Sequence, residues 1–69
     1  MKISARNVLK GKIVKIVTGP VSSEVTLEVA KGVEVVASVT SMSVKRLGLK
    51  KGKTAFAVIK ASSVMIATD

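Results

Sequence analysis

VSSEVTLEVAKGVEVVASVTSMSVKRLG, residues 21–48, is the stretch on which the fold turns. Over 21–30 apolar and polar residues alternate. Val21, Val25, Leu27 and Val29 fall on one side with Ser23 among them, while Ser22, Glu24, Thr26 and Glu28 fall on the other. That period of two is the mark of a half-buried strand, because successive side chains of an extended chain point to opposite faces. Lys31-Gly32 reads as a tight hairpin turn, with glycine taking the positive φ. Alternation resumes over 33–39, with Val33, Val35, Ala37 and Val39 in phase. At Thr40 the period changes. Thr40 suits a helix N-cap, Lys45 and Arg46 fall in the last turn, and Gly48 suits the left-handed position that closes a helix.

Working outward, LKGKIVKIV at 9–17 reads as a first strand. It must be twisted or bulged near Gly11, since strict alternation would put Lys12 and Lys15 on opposite faces. Gly19-Pro20 breaks it. Beyond the helix, 49–52 forms a turn, 53–60 a fourth strand and 64–67 a short fifth, with Ala61-Ser62-Ser63 between them. Phe56, mid-strand between alanines, reads as core. This order predicts an all-β fold: a five-stranded OB-like Greek-key barrel with one short helix between strands 3 and 4. A five-stranded sandwich of another topology is the competing arrangement.

The 69 residues leave room for one domain, spanning 1–69. A chain of this size buries only about 60% of the surface its unfolded form exposes. Disulfides, metals or association usually make up the shortfall, and the absence of Cys and His removes disulfides and the commonest soft metal ligands. Hydrophobic residues reach 48% and mean hydropathy +0.50. That surplus fits either a subunit interface or a dense small core. No apolar run approaches the roughly 18 residues of a membrane helix. The opening MKISARN lacks the apolar stretch of a secretory signal, so a cytoplasmic chain without a membrane partner is expected.

The net charge of +8 draws anions of any kind, from nucleic acid to small inorganic ions, unless it is simply a solvated surface. An enzyme is not expected. There is no His, Cys or Tyr, and Glu24, Glu28, Glu34 and Asp69 show no motif spacing, so acid–base and triad chemistry lack their usual members. Nucleic acid is the natural alternative for a basic barrel. Single-strand binders, however, stack bases on exposed rings worth roughly 1–3 kcal/mol each. Here Phe56 is the sole aromatic, which leaves only non-specific phosphate attraction.

A small oxyanion suits the residue types better. A fully ionised tetrahedral oxyanion offers only acceptors, so its site should present only donors: hydroxyls, backbone N–H groups, Lys and Arg. Three stretches qualify: Ser4-Ala5-Arg6-Asn7, Thr40-Ser41-Met42-Ser43 at the helix start, and Lys60-Ala61-Ser62-Ser63 where a strand ends. Ser43 stands where a capping box would place Glu or Gln, so no carboxylate opposes an anion there. Each stretch also has a plain structural reading, as helix cap, solvated tail or strand-end lysine.

At these residues the chain resembles a known family. Ile3-Ser4-Ala5-Arg6-Asn7 followed by Leu9-Lys10-Gly11 looks like the opening of the molbindins, the small molybdenum-pterin-binding (Mop) proteins. Thr40-Ser41-Met42-Ser43 leading into Leu47-Gly48-Leu49, and Lys60-Ala61-Ser62-Ser63-Val64-Met65-Ile66, resemble their helix and final strand pair. The resemblance implies a homohexamer, arranged as a trimer of dimers, that binds and stores molybdate or tungstate at subunit interfaces. It implies contacts from Ser4, Ala5 and Arg6, hydroxyl and amide donors from Thr40 and Ser43, and a charge and N–H from Lys60 and Ala61, with Ser62 alongside. A second kind of site would draw on Asn7, Gly19, Val21 and Ser22, though Pro20 deprives that turn of one donor. No cation ligands are implied.

Overall fold

The computed structural model describes all residues, 1–69. Four strands form one antiparallel sheet: β1 (Asn7–Val17), β2 (Ser22–Ala30), β3 (Val33–Thr40) and β4 (Thr54–Ile59), with a helix α1 (Ser41–Leu47) between β3 and β4. Their spatial order is β3-β2-β1-β4. Three strands run as a meander and the fourth returns beside the first, which is the Greek-key arrangement. The expected all-β class and helix position hold, with four strands rather than five.

β1 is long because it serves two partners. Residues from Asn7 to Lys12 pair with β4, and those from Lys12 onward pair with β2; Lys12 stands opposite both Thr54 and Glu28. The expected bulge exists, but at Val14, between Ile13↔Leu27 and Lys15↔Thr26. Its effect is to let residues three apart share a face. Ile13 and Ile16 both turn to the core, and Lys12 and Lys15 both take the opposite face with Glu24, Thr26 and Glu28. Gly11 lies beside this crossing for lack of space: a Cβ there would come within 2.7 Å of the Glu28 carbonyl oxygen.

The core is small. Ile13, Val25 and Leu27 are its only fully buried apolar side chains, flanked by Val39, Val44, Leu49, Ala55 and Ala57 among others. Ser23 is buried in phase with them, as the alternation required, whereas Val21 lies outside β2 and is exposed. Thr26 is only 7% exposed although it belongs to the opposite face. It occupies the inner part of the sheet, flanked in register by Lys15 and Val36, whose side chains are long or branched enough to shield it.

α1 is set at both ends. Thr40 is its N-cap, and Gly48 at φ 63° closes it in the left-handed conformation. Lys53 Nζ donates to the carbonyls of Leu47 and Gly48 at 3.1 and 3.2 Å, placing a cation at the negative end of the helix.

Two further expectations are corrected. Residues 64–67 form no strand: after β4 the chain tightens into a 3₁₀ turn (Ala61–Ser63), with Ser63 N–H donating to Lys60 O and Val64 N–H to Ala61 O. That turn carries the following residues off the end of β4, so they pair with no strand, and Met65 and Ile66 are 92% and 86% exposed. Phe56 is not core but 49% exposed. Its neighbours Ala55 and Ala57 take the inward positions, and Phe56 rims an apolar groove of about 390 Å³ that spans from Ala37 and Val39 on β3 to β4.

Replacing Gly11 by Ala is expected to lower unfolding stability by about 1–3 kcal/mol, the usual cost of forcing a methyl into a packed site. Urea denaturation of the two chains measures it; equal midpoints would show that β1 and β2 can part at no cost.

Candidate oxyanion site

Two of the three predicted donor stretches meet. The N-terminal segment and the end of β4 enclose an open cleft of about 630 Å³, into which Ser4, Arg6, Lys60 and Ser62 bring hydroxyls, a guanidinium and an ammonium. Ala5 and Ala61 line it as well, contributing small side chains that leave the backbone approachable. β4 explains the meeting. Its pairing sets Ile59 opposite Asn7, so the residues just before β1 and just after β4 emerge side by side. None of the four acids lines the cleft, and no cluster of His, Cys, Asp and Glu in the chain could hold a metal cation. The site is therefore chemically suited to an anion.

Thr40 and Ser43 do not line this cleft. They stand at the start of α1 with the turn that contains Gly19 and Val21, and Ser22 lies opposite Thr40 in the β2–β3 register. The residues predicted for a second site, Asn7 apart, thus gather with Thr40 and Ser43. Asn7 belongs beside the cleft, half-buried as the first residue of β1. The chain holds two separate donor groups rather than one completed site.

The helix-start group has much of its capacity engaged. Ser43 N–H donates to Thr40 Oγ1 at 3.0 Å, and the Thr40 hydroxyl donates to Ser43 Oγ at 2.7 Å. Ser41 N–H donates to Val21 O at 2.8 Å. The Ser43 hydroxyl proton remains free for a ligand, since its oxygen serves as acceptor in the one side-chain bond it makes.

Sequence reasoning passed over Ser41 as a structural residue. Its hydroxyl donates to Gly19 O at 2.6 Å and lies 2.6 Å from Ser23 Oγ. With the Ser41 proton committed to Gly19, Ser23 must be the donor to Ser41, which satisfies the buried Ser23 hydroxyl. The signal was present in the sequence: a serine on the apolar side of β2 needs a partner. Ile3 and Val58, which also line the cleft, carried no such signal.

The family model for the TOBE domain matches residues 3–66. A probable molybdenum-pterin-binding protein of Haemophilus influenzae is 46% identical over 69 residues, covering all of both chains. The structure of a molybdate-binding protein from Sporomusa ovata superimposes with a TM-score of 0.91 at 37% identity, covering 99% of this chain and 100% of that one. The cytoplasmic molybdate-binding protein ModG, solved with molybdate bound, gives a TM-score of 0.89 at 49% identity; the match covers 94% of this chain and 46% of ModG. The chain belongs to the TOBE-domain family and, within it, to the molybdenum-pterin-binding proteins, the molbindins. These relatives are named as binding proteins, not enzymes.

Thr40→Asp is expected to preserve the helix, because Asp is as good an N-cap and favours the positive end of the helix dipole. It would also set a carboxylate beside the Ser43 hydroxyl. Melting curves should show a midpoint equal to or above that of the wild type, while oxyanion affinity falls by about tenfold or more through charge repulsion. Undiminished affinity would remove the helix start from the site.

Proposed function

We propose that this chain is an intracellular molybdate- or tungstate-binding protein whose complete sites form where copies of it meet. One observation carries the reading: an acid-free cleft joins Ser4, Arg6, Lys60 and Ser62, while the donors Thr40 and Ser43 lie elsewhere on the same chain. One chain offers each group separately; a neighbouring copy can bring its helix start to the first chain's cleft. The ion is the cargo, for storage or buffering, and no covalent chemistry is asked of the protein.

Association also answers the shortfall in burial. Three fully buried apolar side chains are few for 69 residues, and the groove between β3 and β4 is lined by eleven hydrophobic residues out of thirteen. Val64, Met65 and Ile66 are apolar, exposed and outside any strand, so a second copy can supply the surface that covers such a groove. The hexamer, a trimer of dimers, is the assembly this reading adopts from the family resemblance.

Recognition follows from donors alone. Hydrogen bonds to a charged partner contribute on the order of 1.5–3 kcal/mol each. Five or six of them, less the costs of ordering and desolvation, support micromolar or tighter binding, about −8 kcal/mol. Phosphate near neutral pH is partly protonated and needs an acceptor, and without a carboxylate the cleft offers it only the weaker serine hydroxyls and backbone carbonyls. The alternative of nucleic acid rests on charge alone, since Phe56 is a single ring at the edge of an apolar groove.

Titration calorimetry with molybdate should show saturable binding, and molybdate should raise the melting temperature by mass action. Arg6→Ala and Lys60→Ala should each weaken binding by about tenfold or more, the loss of one charged hydrogen bond, without changing the native mass. No heat and no thermal shift with either molybdate or tungstate would refute the reading. Removing the residues after Ser63 should lower the mass of the assembly in light scattering; an unchanged mass would show that the groove is covered by other means.

A further inference from the structure

The cleft has two kinds of wall. Ser4, Arg6, Lys60 and Ser62 present donors, whereas Ile3 and Val58 border the same space with hydrocarbon alone. Both are substantially exposed, so their methyl groups are open to whatever occupies the cleft. Val58 also borders the apolar groove; Ile3 borders only the cleft. An anion set beside hydrocarbon gives up water there without replacement, and the cost grows with the strength of its hydration. Doubly charged tetrahedral oxyanions differ in that strength. Bonds from oxygen to sulfur are shorter than those to molybdenum or tungsten, so sulfate carries the same charge on a smaller sphere and holds its water harder.

We infer that Ile3 and Val58 determine specificity in this site, rejecting sulfate by a dehydration that the larger dianions tolerate. The inference rests on the oxyanion reading above and names how the site chooses within that class. The donors fix how tightly a dianion is held; Ile3 and Val58, the larger of the apolar side chains there, fix which dianion. A wall of low polarity also strengthens the charge-assisted bonds that remain, to the benefit of the ion with least water to lose.

Val58→Thr separates dehydration from width, because it exchanges a methyl for a hydroxyl of nearly the same size. Ile3→Thr does the same to the wall at a residue outside the groove, and Val58→Ala widens the cleft without adding a polar group. Molybdate and sulfate are titrated into the wild type and each variant, with assembly mass checked by light scattering. The ratio of molybdate to sulfate affinity should fall on the order of three- to tenfold in both threonine variants at unchanged mass, as expected when a polar group rehydrates the wall. A ratio that holds in both threonine variants, or that falls only in Val58→Ala, makes width the discriminator and overturns the inference alone. A wild type that binds neither ion overturns the oxyanion reading and this inference together.

Discussion

Gly11 passes so close to the Glu28 carbonyl that no side chain fits between them, and the rest of the molecule is arranged around that approach. It is the place where β1 leaves β4 for β2, with Lys12 facing a partner on either side. One strand can belong to two pairings only if it bends sharply, and the bend needs both the missing side chain and the extra residue at Val14. From it follow the two ends of the molecule. The Asn7–Ile59 pairing brings the Ser4 and Arg6 segment beside Lys60, and the β2–β3 hairpin delivers the helix start beside Gly19.

Much of this was legible because the polypeptide repeats its instructions. The alternation over 22–30 and 33–39, the switch of period at Thr40 and the glycine at position 48 each correspond to a backbone feature with one cheap solution, and each is found in the structure. The failures share a cause. Local pattern alone points to a fifth strand at 64–67 and a core position for Phe56, but whether an apolar segment pairs, or an aromatic is covered, is decided by what lies beside it. The bulge was legible as a necessity and not as a position: the lysine spacing demands one extra residue somewhere in β1, and only the cross-strand register shows that Val14 is it.

The candidate site was legible in composition and not in grouping. Donor types without carboxylates could be read from Ser4, Arg6, Thr40, Ser43, Lys60 and Ser62 one by one. Their division into two groups depends on strand order, which composition does not carry. The apolar members Ile3 and Val58 have no signature at all, since isolated aliphatic residues occur on every protein surface.

The serine relay from Ser23 through Ser41 to Gly19 bears on the order in which the molecule comes apart. It joins residues 18 and 22 positions apart, and α1 has no fully buried residue to hold it to the sheet by packing. Two hydroxyl protons, the Ser41 N–H bond to Val21 and the partly buried Val44 therefore hold the helix start, whereas the sheet is held by its ladder and core. Such an end opens locally at a lower free energy than the whole. Warming or mild denaturant then loosens Thr40 and Ser43 while the strands still stand.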